Sequence, residues 1–401
     1  MSLKEKLNNL YVYLLFGLAF LIPSGIYKLE GVIIALLLII WIATKQFKEI
    51  FQQSILLPLF FLLYLVSLAY TENFSKGLTQ IMMHLSYLFV PLILSSKLID
   101  EEKRKKILLI FLSSTVLFIF IADLFALWDI LKTGSYITRI GTADYYKFLS
   151  YGLTRVFSDW HPTLVSLFLI ISFVITVKYI LKSKKVFAIP LIAFIILNVF
   201  LLKSLIGILC LFFVICIFFF SLIKKKSYKF ILVSIMIVLG SVFYFTNPFN
   251  IDKIEKFKKT KIEITDDEER RNVLSIRLVK WSSALNLIKG NPLLGVAPGD
   301  LKQDLDEVYK KNGFDYVAAN RFGPHNQFLQ ILASFGFIGL ILFLTITFLP
   351  YYNQIEFKSL YSWFLLITLM FFLTEDVLER QQGIVFFSFF YSLFVLKTKN
   401  S

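Results

Sequence analysis

His325 is the residue whose type and position most clearly suit chemistry. It follows Pro324, and because proline is favoured in the first turn of a helix, a helix is expected to begin here. Residues at spacings of four and three then share one helix face: His325, Leu329, Leu332, Gly336 and Gly339. The glycines would let a neighbouring helix approach closely. A helix N-terminus attracts anions and disfavours a cationic imidazole, which predicts a neutral, proton-accepting His325 beside a phosphate pocket; the alternative is a capping or interfacial histidine.

Arg277 lies in the middle of an apolar stripe whose spacing predicts a helix. The stripe consists of Val273, Arg277, Trp281, Ala284 and Ile288. An arginine in such a stripe is expected to be paired or to face a cavity that binds an anion, and its guanidinium matches phosphate oxygens in a bidentate manner. Arg270 and Arg271 follow four acidic residues and are interpreted as surface charges.

A second group of polar residues lies in the segment 132–161. His161 precedes Pro162 at the start of an apolar run, so its ring is also expected near a helix N-terminus. The alternative is an interfacial histidine, which is common at the edge of a bilayer. Arg139 and Arg155 belong to the same segment, and Arg155 is a candidate for a second phosphate contact.

Acidic residues concentrate between two late apolar runs, at Glu375, Asp376 and Glu379, and Arg380 follows them directly. The spacing of Glu375 and Glu379 is one helical turn, and Glu379 and Arg380 could pair locally. Glu375 is a candidate for orienting a catalytic group. Paired carboxylates would also suit hydrolysis of a glycosidic bond, but nothing in the sequence fixes their separation from His325.

Three further residues are more ambiguous. His84 lies inside an apolar run, where an ionisable residue is a functional candidate by default; burial against Tyr87 or Ser86 is the alternative. Cys210 and Cys216 are six residues apart and do not share a helix face, so neither a disulfide nor a metal site is indicated. Motifs for zinc proteases, nucleotide-binding loops and serine hydrolases are missing from the sequence, and no cofactor or metal is expected.

Membrane helices are the elements that would position these residues. Of 401 residues, 57% are hydrophobic and only 17% are charged, an imbalance that one aqueous domain cannot hide in its core. Apolar runs predict about twelve spans. They cover residues 11–27, 32–46, 55–70, 79–96, 107–131, 162–181, 186–202, 204–223, 229–246, 327–350, 358–374 and 384–397. The predicted fold class is therefore all-α, with a single polytopic membrane domain over residues 1–401.

The charges of the loops predict an orientation. Lysine and arginine cluster near 45–48, 97–106, 182–185 and 224–229, which by the positive-inside rule places both termini in the cytoplasm. This pattern accounts for the net charge of +15 without nucleic-acid binding. The segments 132–161 and 247–326 then form outer loops, the second a large, partly helical loop between the ninth and tenth spans. Loops of this length are usually functional, so the active site is expected on the outer side.

The segment 270–345 resembles the O-antigen ligase and polymerase superfamily. The resemblance rests on the His325-Asn326 motif with the glycines that follow it, on Arg277, and on the stretch Gly290–Asp300. It extends more weakly to His161 and to residues 375–383. It implies a GT-C-like enzyme of the bacterial inner membrane with a periplasmic active site, embedded in membrane lipid.

The resemblance also implies roles. The reaction would be a metal-independent, inverting glycosyl transfer in which His325 assists the acceptor hydroxyl and Arg277, with Arg155 or Lys203, holds the donor pyrophosphate. Supporting residues would be His161, Asn326, Glu375 and Arg380. The family's basic residue in a middle span follows a serine, whereas Lys203 precedes one, so a lysine that only extends toward the membrane surface is the alternative.

The implied donor is a glycan linked to undecaprenyl pyrophosphate. The favoured activity is that of an O-antigen ligase in lipopolysaccharide biosynthesis, with lipid A-core as acceptor. The alternative is a polymerase of O-antigen or exopolysaccharide repeat units, whose acceptor is a lipid-linked repeat unit; transfer to protein hydroxyls is a further variant. A polytopic transporter or flippase is more distant, because transport sites lie near the bilayer midplane rather than at its outer face.

Overall fold

The computed structural model describes residues 1–45, 55–141, 143–157, 160–181, 185–223, 273–320, 322–352 and 359–395. Most of these residues are helical, and the helices are numbered here in chain order. The first ten are α1 (Leu3–Leu21), α2 (Tyr27–Ala43), α3 (Leu56–Ser67), α4 (Phe74–His84), α5 (Ser86–Leu94), α6 (Glu101–Thr133), α7 (Ser150–Thr154), α8 (Pro162–Ile175), α9 (Lys185–Leu201) and α10 (Leu205–Leu222). The others are α11 (Val273–Gly290), α12 (Leu301–Lys311), α13 (Asp315–Ala319), α14 (Gln327–Tyr352), α15 (Leu360–Phe372) and α16 (Gln381–Val395).

The described helices include several that suit a lipid bilayer by length and composition. Five segments are long and apolar enough to cross it: Leu3–Ser24, Phe74–Leu94, Glu101–Thr133, Pro162–Ile180 and Gln327–Tyr351. Shorter apolar helices lie at Leu56–Ser67, Val186–Leu201, Leu205–Ser221, Leu360–Phe372 and Gln381–Val395. The chain is a multi-pass membrane protein.

Helices lie over eleven of the twelve predicted spans, and the run 229–246 lies outside the described residues. The number of spans that cross the bilayer stays a prediction. The run 79–96, predicted as one span, is broken at Leu85 into α4 and α5. The break follows His84, whose ring contacts the carbonyl of Gln80 one turn earlier.

The all-α prediction is wrong for part of the segment 132–161, which contains a β-hairpin. Strands β1 (Ile137–Ile140) and β2 (Ala143–Tyr146) pair antiparallel, with Ile137 opposite Tyr146. The strand residues are rich in β-branched and aromatic types, and Gly141 between the strands has a φ of 61°. A signal of four residues per strand is short enough to be missed beside long apolar helices.

Two hydrophobic cores hold the described part of the chain together. The larger one lies among the apolar helices and is rich in stacked phenylalanines, such as Phe111, Phe364 and Phe390. The smaller one joins α11, α12 and α13 through Val279, Leu305 and Val317, and it includes Ala333 of α14. Within the predicted loop 247–326, residues 273–320 thus form a helical unit that is packed against α14; residues 247–272, including Arg270 and Arg271, lie outside the described residues.

Helix α14 is interrupted at Gly336, whose φ of 63° and ψ of −164° are not helical. The loop after α11 fills the interruption: the N–H groups of Val296 and Ala297 donate to the carbonyls of Ala333 and Ser334 at 2.9 and 3.1 Å. In return, the N–H of Phe337 donates to the carbonyl of Pro292 at 2.8 Å. The expectation that Gly336 meets a neighbouring helix is therefore wrong, because a loop takes that place. Gly339 does face a helix, since a Cβ there would lie 3.6 Å from Leu63 of α3.

Asp300 ties the same unit to the turn between α3 and α4. Its carboxylate accepts hydrogen bonds from the Thr71 hydroxyl at 2.9 Å and from the main-chain N–H groups of Glu72 and Asn73 at 2.9 and 2.7 Å. Because the acceptor is an ionised carboxylate, each of these three hydrogen bonds is charge-assisted and stronger than one between neutral groups. The α11–α13 unit is thus fixed at one end of the helix bundle by two independent connections.

Replacing Gly336 with alanine should lower the free energy of unfolding by roughly 2–4 kcal/mol, from backbone strain and overpacking together. A Cβ at this position would overlap the carbonyl of Leu293, and the φ of 63° is unfavourable for alanine. The matched control is Gly31→Ala in α2, where no described heavy atom lies within 4 Å of the added Cβ. Thermal unfolding of both variants in detergent measures the difference; equal midpoints would contradict the role assigned to Gly336.

Candidate active site

His325 lies in a turn just before α14, not in the first helical turn as the sequence predicted. Its φ is 48°, and the helix begins at Gln327 because Asn326 supplies the N-cap. The Asn326 side-chain oxygen accepts from the N–H groups of Phe328 and Leu329 at 3.0 and 3.1 Å, and its amide nitrogen donates to the carbonyl of Leu373 at 3.1 Å. Asn326 therefore fixes both the start of α14 and its distance from the segment that follows α15.

The segment between α15 and α16 brings two carboxylates to His325. His325 Nδ1 lies 3.4 Å from Glu375 Oε2 and 3.9 Å from Asp376 Oδ1. The predicted helical turn linking Glu375 to Glu379 is wrong, since only Val377–Glu379 forms a short 3₁₀ turn. Glu375 and Glu379 consequently point to different surroundings.

The two glutamates of this segment differ in their ionisation. Burial opposes the charge of Glu375, but hydrogen bonding and attraction to His325, with help from His161 and Arg277, outweigh it and lower the pKa. For Glu379, burial and the nearby Asp376 raise the pKa to about 8. Glu375 is therefore the ionised partner of His325, whereas the surroundings of Glu379 disfavour its charged form.

Arg277 reaches the same cluster from α11. Its guanidinium NH2 lies 4.0 Å from Glu375 Oε1, and its side chain is 30% exposed. Of the predicted apolar stripe, Ala284 and Ile288 are buried as expected. Arg277 is thus both paired and open to a ligand, which the sequence had left as alternatives.

Lys280 is a site residue that the sequence reasoning missed. It lies three residues after Arg277, is only 5% exposed, and places its Nζ 3.8 Å from the centre of the Phe322 ring. Burial lowers the pKa of Lys280 to about 8, although Asp376 and Glu375 act in the opposite direction. Among the described residues no carboxylate lies within 4.0 Å of Nζ. The sequence did contain one indication: residues three apart lie side by side on a helix, so a helix here places Lys280 next to Arg277.

His161 lies across a narrow crevice from the carboxylates. It occupies the N-cap position of α8, as predicted, and its Nε2 lies 2.7 Å from the Tyr151 hydroxyl. The crevice is lined by His161, Thr163, Leu164, Phe371, Glu375, Asp376, Val377 and Arg380. Burial, and then the Arg380 guanidinium, lower the pKa of His161 to about 4. The ring is therefore neutral at pH 7 and shares a hydrogen bond with the hydroxyl of Tyr151, a residue that the sequence gave no reason to select.

Arg155 and Lys203 stand outside the contacts of this cluster. The Arg155 guanidinium pairs with Asp129 at 2.7 Å, and it also donates to the carbonyls of Lys147 and Gly152. Lys203 lies between α9 and α10 with a φ of 51° and an exposed side chain. Within the described part of the chain, neither residue takes part in the ion pairs of His325, Glu375 and Arg277.

His325 and the two carboxylates next to it have the side-chain types of a metal-binding cluster. One ligand atom from each of His325, Glu375 and Asp376 lies within 4.8 Å of the others. Arg277 lies 4.0 Å from Glu375, and the Lys280 ammonium is close enough to both carboxylates to interact with them. Fixed positive charges next to a cluster repel a cation and attract an anion. The surroundings therefore favour an anionic ligand beside His325.

The geometry combines a base and an anion pocket. Glu375, ionised and next to His325 Nδ1, favours the imidazole tautomer with a proton on Nδ1 and a free lone pair on Nε2. Arg277 and Lys280 lie on the same side of α11 and can face phosphate oxygens. Such an arrangement can accept a proton from a hydroxyl while it stabilises an anionic leaving group.

Two comparisons with known proteins bear on this site. A search of curated proteins found no match. The family model described as O-Antigen ligase matches residues 190–344. The matched segment contains Lys203, Arg277, Lys280, His325 and Asn326, together with the loop that completes α14. The resemblance predicted from the sequence is confirmed: residues 190–344 of this chain match the O-antigen ligase family.

Proposed function

We propose that the protein is a membrane glycosyltransferase that moves a glycan from undecaprenyl pyrophosphate to an acceptor sugar. The favoured acceptor is lipid A-core, which makes the protein an O-antigen ligase of lipopolysaccharide biosynthesis. The observation that carries the proposal is the contact series from Arg277 through Glu375 to His325. It links an anion-binding group to a proton acceptor. Arg277 and His325 lie within the segment that the family model matches, and Glu375 lies after that segment.

The reaction is a single displacement at the anomeric carbon. The acceptor hydroxyl loses its proton to His325 Nε2 as its oxygen bonds to the anomeric carbon, and the bond from that carbon to the pyrophosphate oxygen breaks. Glu375 stabilises the imidazolium that forms, because its carboxylate lies 3.4 Å from Nδ1. Displacement from the face opposite the leaving group inverts the anomeric configuration.

Arg277 and Lys280 bind the leaving pyrophosphate in this proposal. Negative charge grows on the pyrophosphate as the glycosidic bond breaks, and fixed cations stabilise that charge without reorganising. His161 lies close enough to Glu375 and Arg380 to interact with both electrostatically, and His161 and Arg380, which line the crevice, would contact the sugar next to the bond that breaks. Arg155 holds Asp129 instead, so we assign it to the support of the outer loop.

We further propose that the transfer is metal-independent and that the site faces the periplasm of the inner membrane, with both termini in the cytoplasm. The cationic surroundings of His325 support the first point. The basic cluster Lys103, Arg104, Lys105 and Lys106 supports the second point. It lies in the first turns of α6, where Arg104 donates to the carbonyl of Leu393 near the end of α16, whereas the site segment precedes the start of α16.

The proposed activity should be detectable as glycan transfer in whole bacterial cells. In a bacterial host that lacks its own ligase and polymerase but makes lipid-linked O-antigen, the wild-type protein should attach glycan to lipid A-core. His325→Ala should lower the rate roughly 10²- to 10⁴-fold, the range of general-base catalysis. Arg277→Ala should lower it as well, by removing a phosphate contact. The extracted glycolipids are resolved on a gel at matched protein levels.

Arg139→Ala is the matched control, because Arg139 is an exposed arginine of the hairpin and should leave activity unchanged. Longer lipid-linked chains without attachment to core would identify a polymerase. Full activity of His325→Ala in a reaction with purified protein and native donor would overturn the mechanism. Loss of activity in EDTA, restored by a divalent cation, would overturn its metal independence.

The charge of Lys280 should make binding of the donor depend on pH. Because the pKa of Lys280 is lowered to about 8, the side chain is cationic below that pH and loses its charge above it. Donor binding should therefore weaken above pH 8, seen as a rise in the KM for the lipid-linked donor. Lys280→Arg keeps a cation at all these pH values, so this alkaline rise should disappear. The same rise in KM above pH 8 in both proteins would exclude Lys280 from donor binding.

A further inference from the structure

His84 is a buried histidine that the proposed reaction does not use. It ends α4, has no exposed surface, and its ring stacks on Tyr64 with a centroid distance of 4.0 Å and an interplanar angle of 24°. Tyr87 lies 5.2 Å away, in agreement with the expectation of burial against this residue. The ring is thus held in one orientation by aromatic neighbours from α3 and α5.

The ring of His84 points at the segment that carries the site carboxylates. Its Nε2 lies 3.0 Å from the main-chain carbonyl of Leu378, a residue that is only 1% exposed. The N–H of the same residue donates to the side-chain oxygen of Gln327 at 2.7 Å. Side chains from two different helices therefore hold both main-chain polar groups of Leu378.

Leu378 connects the segment that carries the site carboxylates to the start of α14, next to His325. It lies two residues after Asp376 and three after Glu375, and Gln327 lies two residues after His325. A shift of the Leu378 peptide would therefore move Glu375 relative to His325. The alignment of these two groups depends on contacts that lie beneath them in the helix bundle, and His84 supplies one of those contacts.

We propose that His84 is a positioning residue: by donating from Nε2 to the Leu378 carbonyl, it holds the segment 375–380 so that Glu375 meets His325. The role of that pair rests on the proposed function, but the placement of the segment does not. The second ring nitrogen, Nδ1, lies 2.8 Å from the carbonyl of Gln80, one turn earlier in α4. Both ring nitrogens thus face main-chain carbonyls, and a neutral imidazole has only one N–H; the proposal places that N–H on Nε2, toward Leu378.

The choice of nitrogen gives a matched set of variants. The amide of glutamine can reproduce a donor at the place of Nε2, whereas the shorter asparagine reproduces one near Nδ1. His84→Gln should keep activity within about threefold of wild type, while His84→Asn and His84→Phe should lower it roughly 10- to 100-fold, the effect of a misplacement of about 1 Å. Activity retained by His84→Asn but lost by His84→Gln would overturn the assignment.

A double-mutant cycle separates positioning from general support of the fold. If His84 acts through Glu375, then His84→Phe should cost little further activity in a Glu375→Gln background, because the group it aligns is already gone. Multiplicative losses in the double variant would show that His84 acts only on the fold. Thermal midpoints of all variants in detergent confirm that folded proteins are compared.

Cysteine labelling tests the placement without any glycosyl transfer. Val377 is 5% exposed and adjoins Leu378, and the two native cysteines are buried, so full-length Val377→Cys can be treated with a membrane-impermeant maleimide. Adding His84→Phe should raise the labelling rate at least severalfold, and adding His84→Gln should not. Equal rates in all three proteins would overturn the proposal. If the wild type transfers no glycan but the labelling follows this pattern, the proposed function fails and the positioning role stands.

Discussion

A helix that crosses lipid must satisfy its main-chain hydrogen bonds within the protein, and α14 meets this constraint with help from outside itself. The break at Gly336 leaves carbonyl and N–H groups of α14 without partners inside the helix, and the loop 292–297 supplies hydrogen bonds to them. Because that loop directly follows α11, the same hydrogen bonds set the position of Arg277 and Lys280. His325 lies at the other side of the arrangement, just before α14 begins. The position of the cations Arg277 and Lys280 relative to His325 is therefore set by the hydrogen bonds that complete the interrupted helix α14.

One carboxylate lies between the two charged or ionisable groups that the proposed reaction needs. Glu375 lies between the Arg277 guanidinium and the His325 ring, and its pKa is lowered by the combined effect. In the proposed reaction, a pyrophosphate bound to Arg277 would compete with Glu375 for the guanidinium. The carboxylate of Glu375 would then interact more strongly with the imidazole of His325. Binding of the donor and strengthening of the base would then be coupled through one carboxylate.

The sequence identified residues better than it identified their surroundings. His325 and Arg277 were found because a histidine before a helix and an arginine within an apolar stripe are unusual, and both lie in the site. The break at Gly336 could not be foreseen, since its partner, the loop at 292–297, is about 40 residues away in the chain. Arg155 was a candidate by type alone, and its pairing with Asp129 depends on the distant turn of α6. Lys280 and Tyr151 were missed because their burial and partners arise only from the packing of separate helices.

The small core that joins α11, α12 and α13 extends into α14 through Ala333, and the Asp300 carboxylate ties the same unit to residues 71–73. These helices are therefore not an independent module, although they lie together in the sequence. A chimaera that exchanges residues 273–320 for those of a relative must exchange 333–338 with them, and it must keep an acidic residue opposite the turn after α3. Residues 273–320 can be exchanged between family members only along these boundaries.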